Sequence, residues 1–251
     1  MQKKKEDSRY RQFNLLTGTI KGLKDNIIDF IYPKICIVTG ELLEINNSNP
    51  YISDNTVNNI QRASRETYLK FTENISANYT FSLYNYYEDS DSQKIIHHLK
   101  YKGLKKIGVH LGMMIYDALI QEKFDFIKKF DLIIPVPLHK AKVRERGYNQ
   151  SEYISRGLSE KTGIHIYCKL IFRIKNTKSQ TKLTIEEREK NVKGAFRINP
   201  NYKNFITGKK IILVDDVITT GSTVKEIIKE LRKDNPEEIF FVSACIAASD
   251  L

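Results

Sequence analysis

The sequence predicts an α/β fold, a doubly wound and mainly parallel sheet preceded by a small loop-rich subdomain. Three observations carry that expectation. Near-continuous Val/Ile/Leu runs at 131–138, 210–217 and 239–247 alternate with helical patterns, as strands buried on both faces do. The run at 210–217 passes through two acids and a Thr-Thr-Gly-Ser-Thr turn into a helix, which is a ligand-binding arrangement at the carboxyl edge of a sheet. Residues 1–75 lack the alternation altogether, so the chain divides into 1–75 and 76–251.

From Phe13 to Tyr32 apolar residues recur at steps of three and four, predicting an amphipathic helix that Pro33 ends. The polar stretch from Cys36 to Asn59 is rich in Asn, Ser, Gly and Pro and reads as loop and turn. Tyr79–Tyr87 is aromatic and strand-like, and Ser92–Leu99 and Ile107–Ile120 have helical spacing. The alternation then runs strand Asp131–Leu138, helix Ser151–Glu160 and strand Ile164–Ile174. A polar segment, Lys175–Asn191, separates these from strand Lys210–Val217, helix Ser222–Lys233 and strand Ile239–Ala247.

Composition narrows the class. With 41% apolar residues the chain can bury a core. No apolar run reaches the roughly 20 residues needed to span a bilayer, and no signal peptide is evident, so a cytoplasmic, membrane-free protein is expected. Three scattered cysteines suit a reducing compartment better than a disulfide framework. A net charge of +11 invites a polyanion, although a solvated Lys-rich surface would give the same number. The distribution favours a ligand. Between Ile166 and Arg197 nine Lys/Arg face three Glu, which is +6 of the +11, just upstream of the turn with the two acids.

That turn has a physical job for each residue. Gly221 can take a positive φ and let backbone amides approach an anion, and the start of a helix favours negative charge. Thr219, Thr220, Ser222 and Thr223 add hydroxyl donors, sized together for one phosphate monoester. Asp215 and Asp216 accept hydrogen bonds when ionised and suit sugar hydroxyls or an Mg²⁺ shell. Helix capping alone would need one such residue. A P-loop is excluded by the lack of Gly-Lys-Ser/Thr.

The segment IILVDDVITTGST resembles the phosphoribosyl-pyrophosphate (PRPP) motif of type I phosphoribosyltransferases. The resemblance implies that Asp215 and Asp216 are the catalytic, ribose-binding acids. It also implies that Thr219, Thr220, Gly221, Ser222 and Thr223 hold the 5′-phosphate. Three further stretches resemble one branch, the ComF or late competence protein family, also called amidophosphoribosyltransferase-like. These are IIHHLKYKG at 95–103, IIPVPLHKAKVRERGYNQSEYIS at 133–155 and QTKLTIEEREKNVKGAF at 180–196.

On that basis Pro137, Leu138 and His139 are expected at the pyrophosphate loop, with Arg144 and Arg146 behind them because guanidinium forks suit phosphate. A solvated turn is the plainer role for His139. Asn149 is expected to cap the next helix. The segment 175–191 has the polarity of a lid, with Arg173, Lys178, Lys182 and Arg188 as pyrophosphate clamps, although each is also consistent with a solvated charge run. Lys100 is a further candidate.

The N-terminal part departs from the ComF pattern. Relatives carry two CxxC pairs there, the spacing of a structural zinc. This chain has Cys36-Ile-Val-Thr39 and Ser53-Asp-Asn-Thr56, so only one thiolate remains and no zinc is expected. The function implied is transfer of a phosphoribosyl group from Mg²⁺-PRPP to an unidentified acceptor, with Mg²⁺ carried by the ligand. The alternative is a non-catalytic PRPP-fold protein that acts in DNA uptake or binds single-stranded DNA. No glutaminase part is visible, and homodimerisation is an expectation by analogy with the family.

Overall fold

The computed structural model describes residues 33–175 and 185–247; the expected helix Phe13–Tyr32 lies outside them. The chain divides into two compact units, Met1–Asn58 and Asn59–Leu251. The second unit therefore begins earlier than the expected boundary at 75.

In the described part of the first unit, backbone bonds hold the chain more than regular elements do. Ile35 bridges Leu42, the Ile37 amide donates to the Tyr51 carbonyl, and a short helix α1 (Asp54–Asn59) closes the described part. Cys36 and Ile52 are its buried apolar side chains.

The second unit opens with α2 (Arg65–Ile75), which Ser64 caps through its side chain at 3.1 Å from the Thr67 amide. Tyr68, Phe71 and Ile75 form its buried stripe and face β1 (Tyr79–Tyr86). That packing ties α2 to the sheet. The sequence missed it because the stripe is short and its helix rich in polar residues.

Helices α3 (Asp91–Tyr101) and α4 (Lys105–Gln121) follow, then β2 (Leu132–Pro135), α5 (Lys140–Arg146) and α6 (Gln150–Thr162). The short strands β3 (Ile171–Arg173) and β4 (Phe196–Ile198) flank α7 (Ile185–Val192). The chain ends in β5 (Lys210–Ile218), α8 (Ser222–Leu231) and β6 (Glu238–Ala247).

The main sheet runs β1-β6-β5-β2 with every pair parallel. Its strands are buried along nearly their whole length, which is why they read as continuous apolar runs rather than alternating ones. On the sheet, α4 and α6 approach so closely that a Cβ on Gly157 would overlap the carbonyl of Val109. Only glycine allows that contact, and it fixes the start of α6 relative to the strand ends.

One expected strand is corrected. Ile164–Ile174 is not a single sheet strand. Ile166 makes a single parallel bridge to Ile133 at the sheet edge, and the chain then turns away. Ile171–Arg173 pairs antiparallel with Phe196–Ile198 in a separate two-stranded sheet. The apolar run was continuous, but the Tyr167–Leu170 turn divides it, with the Leu170 amide bonded to the Tyr167 carbonyl. Helices α5 and α7 were not expected from the sequence, because their apolar positions are too few to show a period.

Candidate functional site

The carboxyl ends of β5 and β2, the start of α6 and the end of α3 surround a cavity of about 260 Å³. Asp215 and Asp216 stand at its floor, with Thr219 and Thr223 beyond them and Lys100, Lys142, Arg146 and Arg173 around it.

β5 places the acids and the turn in one direction. Asp215 is bonded by the Ser151 hydroxyl at 2.9 Å and by the Asp216 amide at 2.8 Å. Burial, and then the neighbouring charge of Asp216, push its carboxyl well above the usual carboxylate range. Asp216 accepts from the Lys100 ammonium at 3.1 Å, with both side chains largely covered. Burial works against the charged Lys100, but the Asp216 carboxylate outweighs it and leaves the lysine pKa raised.

After β5 the chain reaches Gly221 at φ +75, the left-handed conformation at the N-cap of α8. A Cβ there would lie 2.7 Å from the Ile75 Cγ2, so both conformation and space demand glycine. No side chain of the cap residue bonds the first turn of α8. A helix start exposes amides that find no partner within the helix, and they favour an anion. Thr220 and Ser222 hydroxyls bond each other at 2.8 Å above that turn.

The cations are the more unusual part. Lys142 is half-buried, and its pKa is lowered by that burial and then by Arg173, Arg146 and Lys100 in turn. Burial also lowers the Arg173 pKa, with Asp215 acting the other way. Arg146 donates to the Gln150 Oε1 at 3.0 Å, while its Nε and the Gln150 Nε2 are buried without an acceptor. Donors and positive charge thus exceed what the two acids can satisfy. Such a site is stabilised by a polyanion.

The expected residues separate on this geometry. Leu138, Arg146, Arg173 and Lys100 line the cavity with the acids and with Thr219 and Thr223. Pro137 and His139 line a neighbouring cavity instead, and Leu138 and Arg173 are shared by the two. The His139 ring is part-exposed, and its Nδ1 accepts the Ala141 amide at 3.2 Å and caps α5. Arg144 is corrected. It is exposed and lines neither cavity, because α5 turns its 142/146 edge inward and carries 144 on the outside.

Asn149 stands at the N-cap of α6, but makes no side-chain cap bond; its Nδ2 instead donates to the Val136 carbonyl at 3.0 Å. Lys178 and Lys182 lie outside the described residues. Arg188 falls on α7, with its side chain likewise outside them.

Sequence reasoning missed Lys142, Gln150 and Ser151. Lys142 and Arg146 are four apart, which puts them on one helix face, but the helix itself was not evident. Gln150 and Ser151 open α6 like ordinary polar first-turn residues, and nothing in the pattern distinguishes them.

In the N-terminal unit the positions of the two truncated pairs do converge. The Ser53 amide donates to the Cys36 Sγ at 3.4 Å, Cys36 and Thr56 are 3.7 Å apart, and Ser53 and Thr56 hydroxyls bond at 2.8 Å. Burial works to raise the Cys36 thiol, but hydrogen bonds from Thr39 and the Ser53 amide override it and bring it down to about 6. One thiol with hydroxyl neighbours is a poor donor set for a tetrahedral structural zinc, which takes thiolates and imidazoles.

Among the described residues no three His, Cys, Asp or Glu side chains come together as a metal cluster, and no helix is long and apolar enough to cross a membrane. A magnesium ion has the carboxylates of Asp215 and Asp216 on offer, a fit for a cation that arrives with its ligand rather than for a protein cage.

A parallel sheet with two acids and a glycine turn at its carboxyl edge defines a class, and the comparisons agree. Residues 134–250 match the phosphoribosyl transferase domain family, so the chain carries such a domain. It is 38% identical over 146 residues to "Competence protein F" of Haemophilus influenzae, covering 58% of this chain and 63% of that protein. It is 30% identical over 141 residues to the "DNA utilization protein YhgH" of Salmonella typhimurium, covering 56% of this chain and 60% of that protein. A hypoxanthine phosphoribosyltransferase from Staphylococcus aureus superposes on 57% of this chain and 69% of its own at 15% identity and a TM-score of 0.37; the fold assignment rests on the family match instead.

Over these stretches the chain is similar to the competence protein F and DNA utilization proteins as well as to the phosphoribosyl transferase domain family. The match spans less than two thirds of the length of these relatives.

Proposed function

We propose that the chain binds PRPP and, with Mg²⁺ carried on the ligand, transfers its phosphoribosyl group to an acceptor. The observation that carries this is the surplus of buried positive charge and unpaired donors around Asp215 and Asp216. A ligand with a diol for the acids, one phosphate for the Gly221 turn and a pyrophosphate for the cations would satisfy the whole cavity.

In this arrangement the Thr219–Thr223 turn orients the 5′-phosphate, and Asp215 and Asp216 accept the ribose hydroxyls. Their charge stabilises the positive character that develops on the ring as the acceptor attacks the anomeric carbon. The bond from that carbon to pyrophosphate breaks with inversion, and the electron pair leaves with pyrophosphate. Lys100, Lys142, Arg146 and Arg173 neutralise the departing charge. Lys100 has two stations, Asp216 in the free protein and pyrophosphate in the loaded one. Magnesium when bound would neutralise further charge on the pyrophosphate.

The test is a calorimetric PRPP titration with and without Mg²⁺, followed by a screen of acceptors for pyrophosphate release. Mg²⁺-dependent binding that the double change Asp215→Asn/Asp216→Asn lowers by about a hundredfold or more supports the assignment. Undiminished binding in a folded double variant defeats it.

The relatives' names favour a second role in handling DNA. Salt-dependent binding of a single-stranded oligonucleotide that survives the double change would support that role as separate from PRPP.

A further inference from the structure

Four cations line the cavity of the acids, and one of them is chemically unlike the rest. We infer that Lys142 is a modification site, whose amine takes the acyl group of a small acyl phosphate drawn in by the neighbouring cations. The inference rests on the reading of this cavity as a phosphate site and adds a covalent chemistry to it.

The four cations differ in what holds their charge. Lys100 donates to the Asp216 carboxylate at 3.1 Å, and that contact keeps its ammonium protonated. Arg146 and Arg173 carry guanidiniums, which stay charged in protein surroundings. Lys142 has neither safeguard. Asp216 is taken by Lys100, and burial holds Asp215 toward its protonated form. Burial, and then Arg173, Arg146 and Lys100, lower the Lys142 pKa, while Glu145 on the same helix pulls the other way and is outweighed. Loss of the Lys142 proton therefore relieves three repulsions at once.

Placement supports the same role. Lys142 and Arg146 are four apart on α5 and share one helix face, while α3 supplies Lys100 and β3 supplies Arg173 to the same cavity. The Lys142 side chain forms part of the cavity wall, so a molecule inside meets it.

An acyl phosphate is the electrophile that this combination selects. Its phosphate is attracted by Arg146, Arg173 and Lys100, and its carbonyl carbon is open to an amine. The uncharged Lys142 nitrogen attacks that carbon and an N–C bond forms. The bond from the carbon to the phosphate oxygen breaks, and its electron pair leaves with phosphate. The proton lost from nitrogen passes to water. The amide that results carries no charge, so the cavity loses one cation and its affinity for a polyanion falls.

The test incubates the full chain with acetyl phosphate and, in parallel, with acetic anhydride, which has no phosphate; labelled sites are read by peptide mass spectrometry. Acetyl phosphate is expected to label Lys142 about tenfold faster than the exposed Lys70 and Lys229, because the cations raise its local concentration. The preference is expected to be smaller with the anhydride. Inorganic pyrophosphate should slow labelling of Lys142 severalfold and leave Lys70 unchanged. The Lys142 rate should also level off at a lower pH than the Lys70 rate.

Labelling of Lys142 no faster than that of Lys70 would overturn the inference. Equal preference with the two reagents would overturn the part played by the phosphate, and labelling that pyrophosphate does not slow would place the reaction outside the cavity. Failure of the PRPP reading is seen separately, as absence of PRPP binding in calorimetry while pyrophosphate still protects Lys142. The inference fails alone if PRPP binds and Lys142 shows no preference.

Discussion

The polar cluster of the N-terminal unit and that of the sheet unit use buried titratable groups in opposite ways. Around Cys36, the thiol accepts the Ser53 amide and the Ser53 and Thr56 hydroxyls bond each other, so the group is closed upon itself. Around Asp215, one carboxyl is held against its ionisation while Lys142 is held against its own charge by burial and then by three neighbouring cations. In the first cluster the polar groups bond one another. The second keeps an electrostatic imbalance that the surrounding sheet and helices hold in place, as binding sites do. Exposure does not distinguish them, since both are largely buried. Satisfaction does.

The largest effect should come from Gly221→Ala. The new Cβ would meet Ile75 Cγ2 at 2.7 Å in a left-handed backbone. A loss of about 2–4 kcal/mol of stability is expected in urea unfolding, together with loss of PRPP binding. Unchanged stability would mean that the turn can rearrange and that the phosphate nest is not preorganised.

Next comes the N-terminal cluster. Thr39→Cys, Ser53→Cys and Thr56→Cys together would surround Cys36 with thiolates. The triple variant is expected to take up about one zinc per chain and to gain thermal stability that a chelator reverses. Zinc near one per chain in the unaltered protein would show that the cluster is not self-sufficient.

A smaller change is expected of Lys142→Met. Relieving repulsion from Arg173, Arg146 and Lys100 should raise the stability of the ligand-free protein slightly, by less than about 1 kcal/mol. The same change should weaken PRPP by about tenfold in calorimetry. Opposite signs in the two measurements are the signature of a charge kept for a ligand; a purely structural lysine would lower both.

The smallest effect is in pH. Asp215 has a folded pKa above its unfolded value, so the folded chain binds the extra proton between the two. Its contribution to stability is therefore lost as pH rises from about 4 toward the raised value. Ribose hydroxyls favour the ionised acid, so PRPP binding should release a proton and tighten with rising pH across that window. Titrations in buffers of different ionisation enthalpy read the proton directly, and Asp215→Asn should abolish the release.

The divide between what was legible and what was not follows locality. Asp215, Asp216 and the Thr219–Thr223 turn sit together because they are consecutive, and a strand leading into a helix through glycine fixes their direction without help from elsewhere. The sheet strands were legible for the same reason, since burial on both faces writes itself into each run separately. Lys142, Gln150 and Ser151 were not, because their meaning depends on which helix face meets the end of β5.

Arg144 shows the reverse: it has the right residue type in a basic stretch, yet two steps of about 100° each around α5 from Lys142 carry it to solvent. By itself, then, the sequence determined the fold class and the contiguous acid-and-glycine turn. Only the tertiary structure decided which cations join it, that His139 serves a neighbouring cavity, and that the Ile164–Ile174 run divides between two sheets. Side-chain direction in a helix, and the choice of partner for a short strand, are set by contacts with residues far away in the chain.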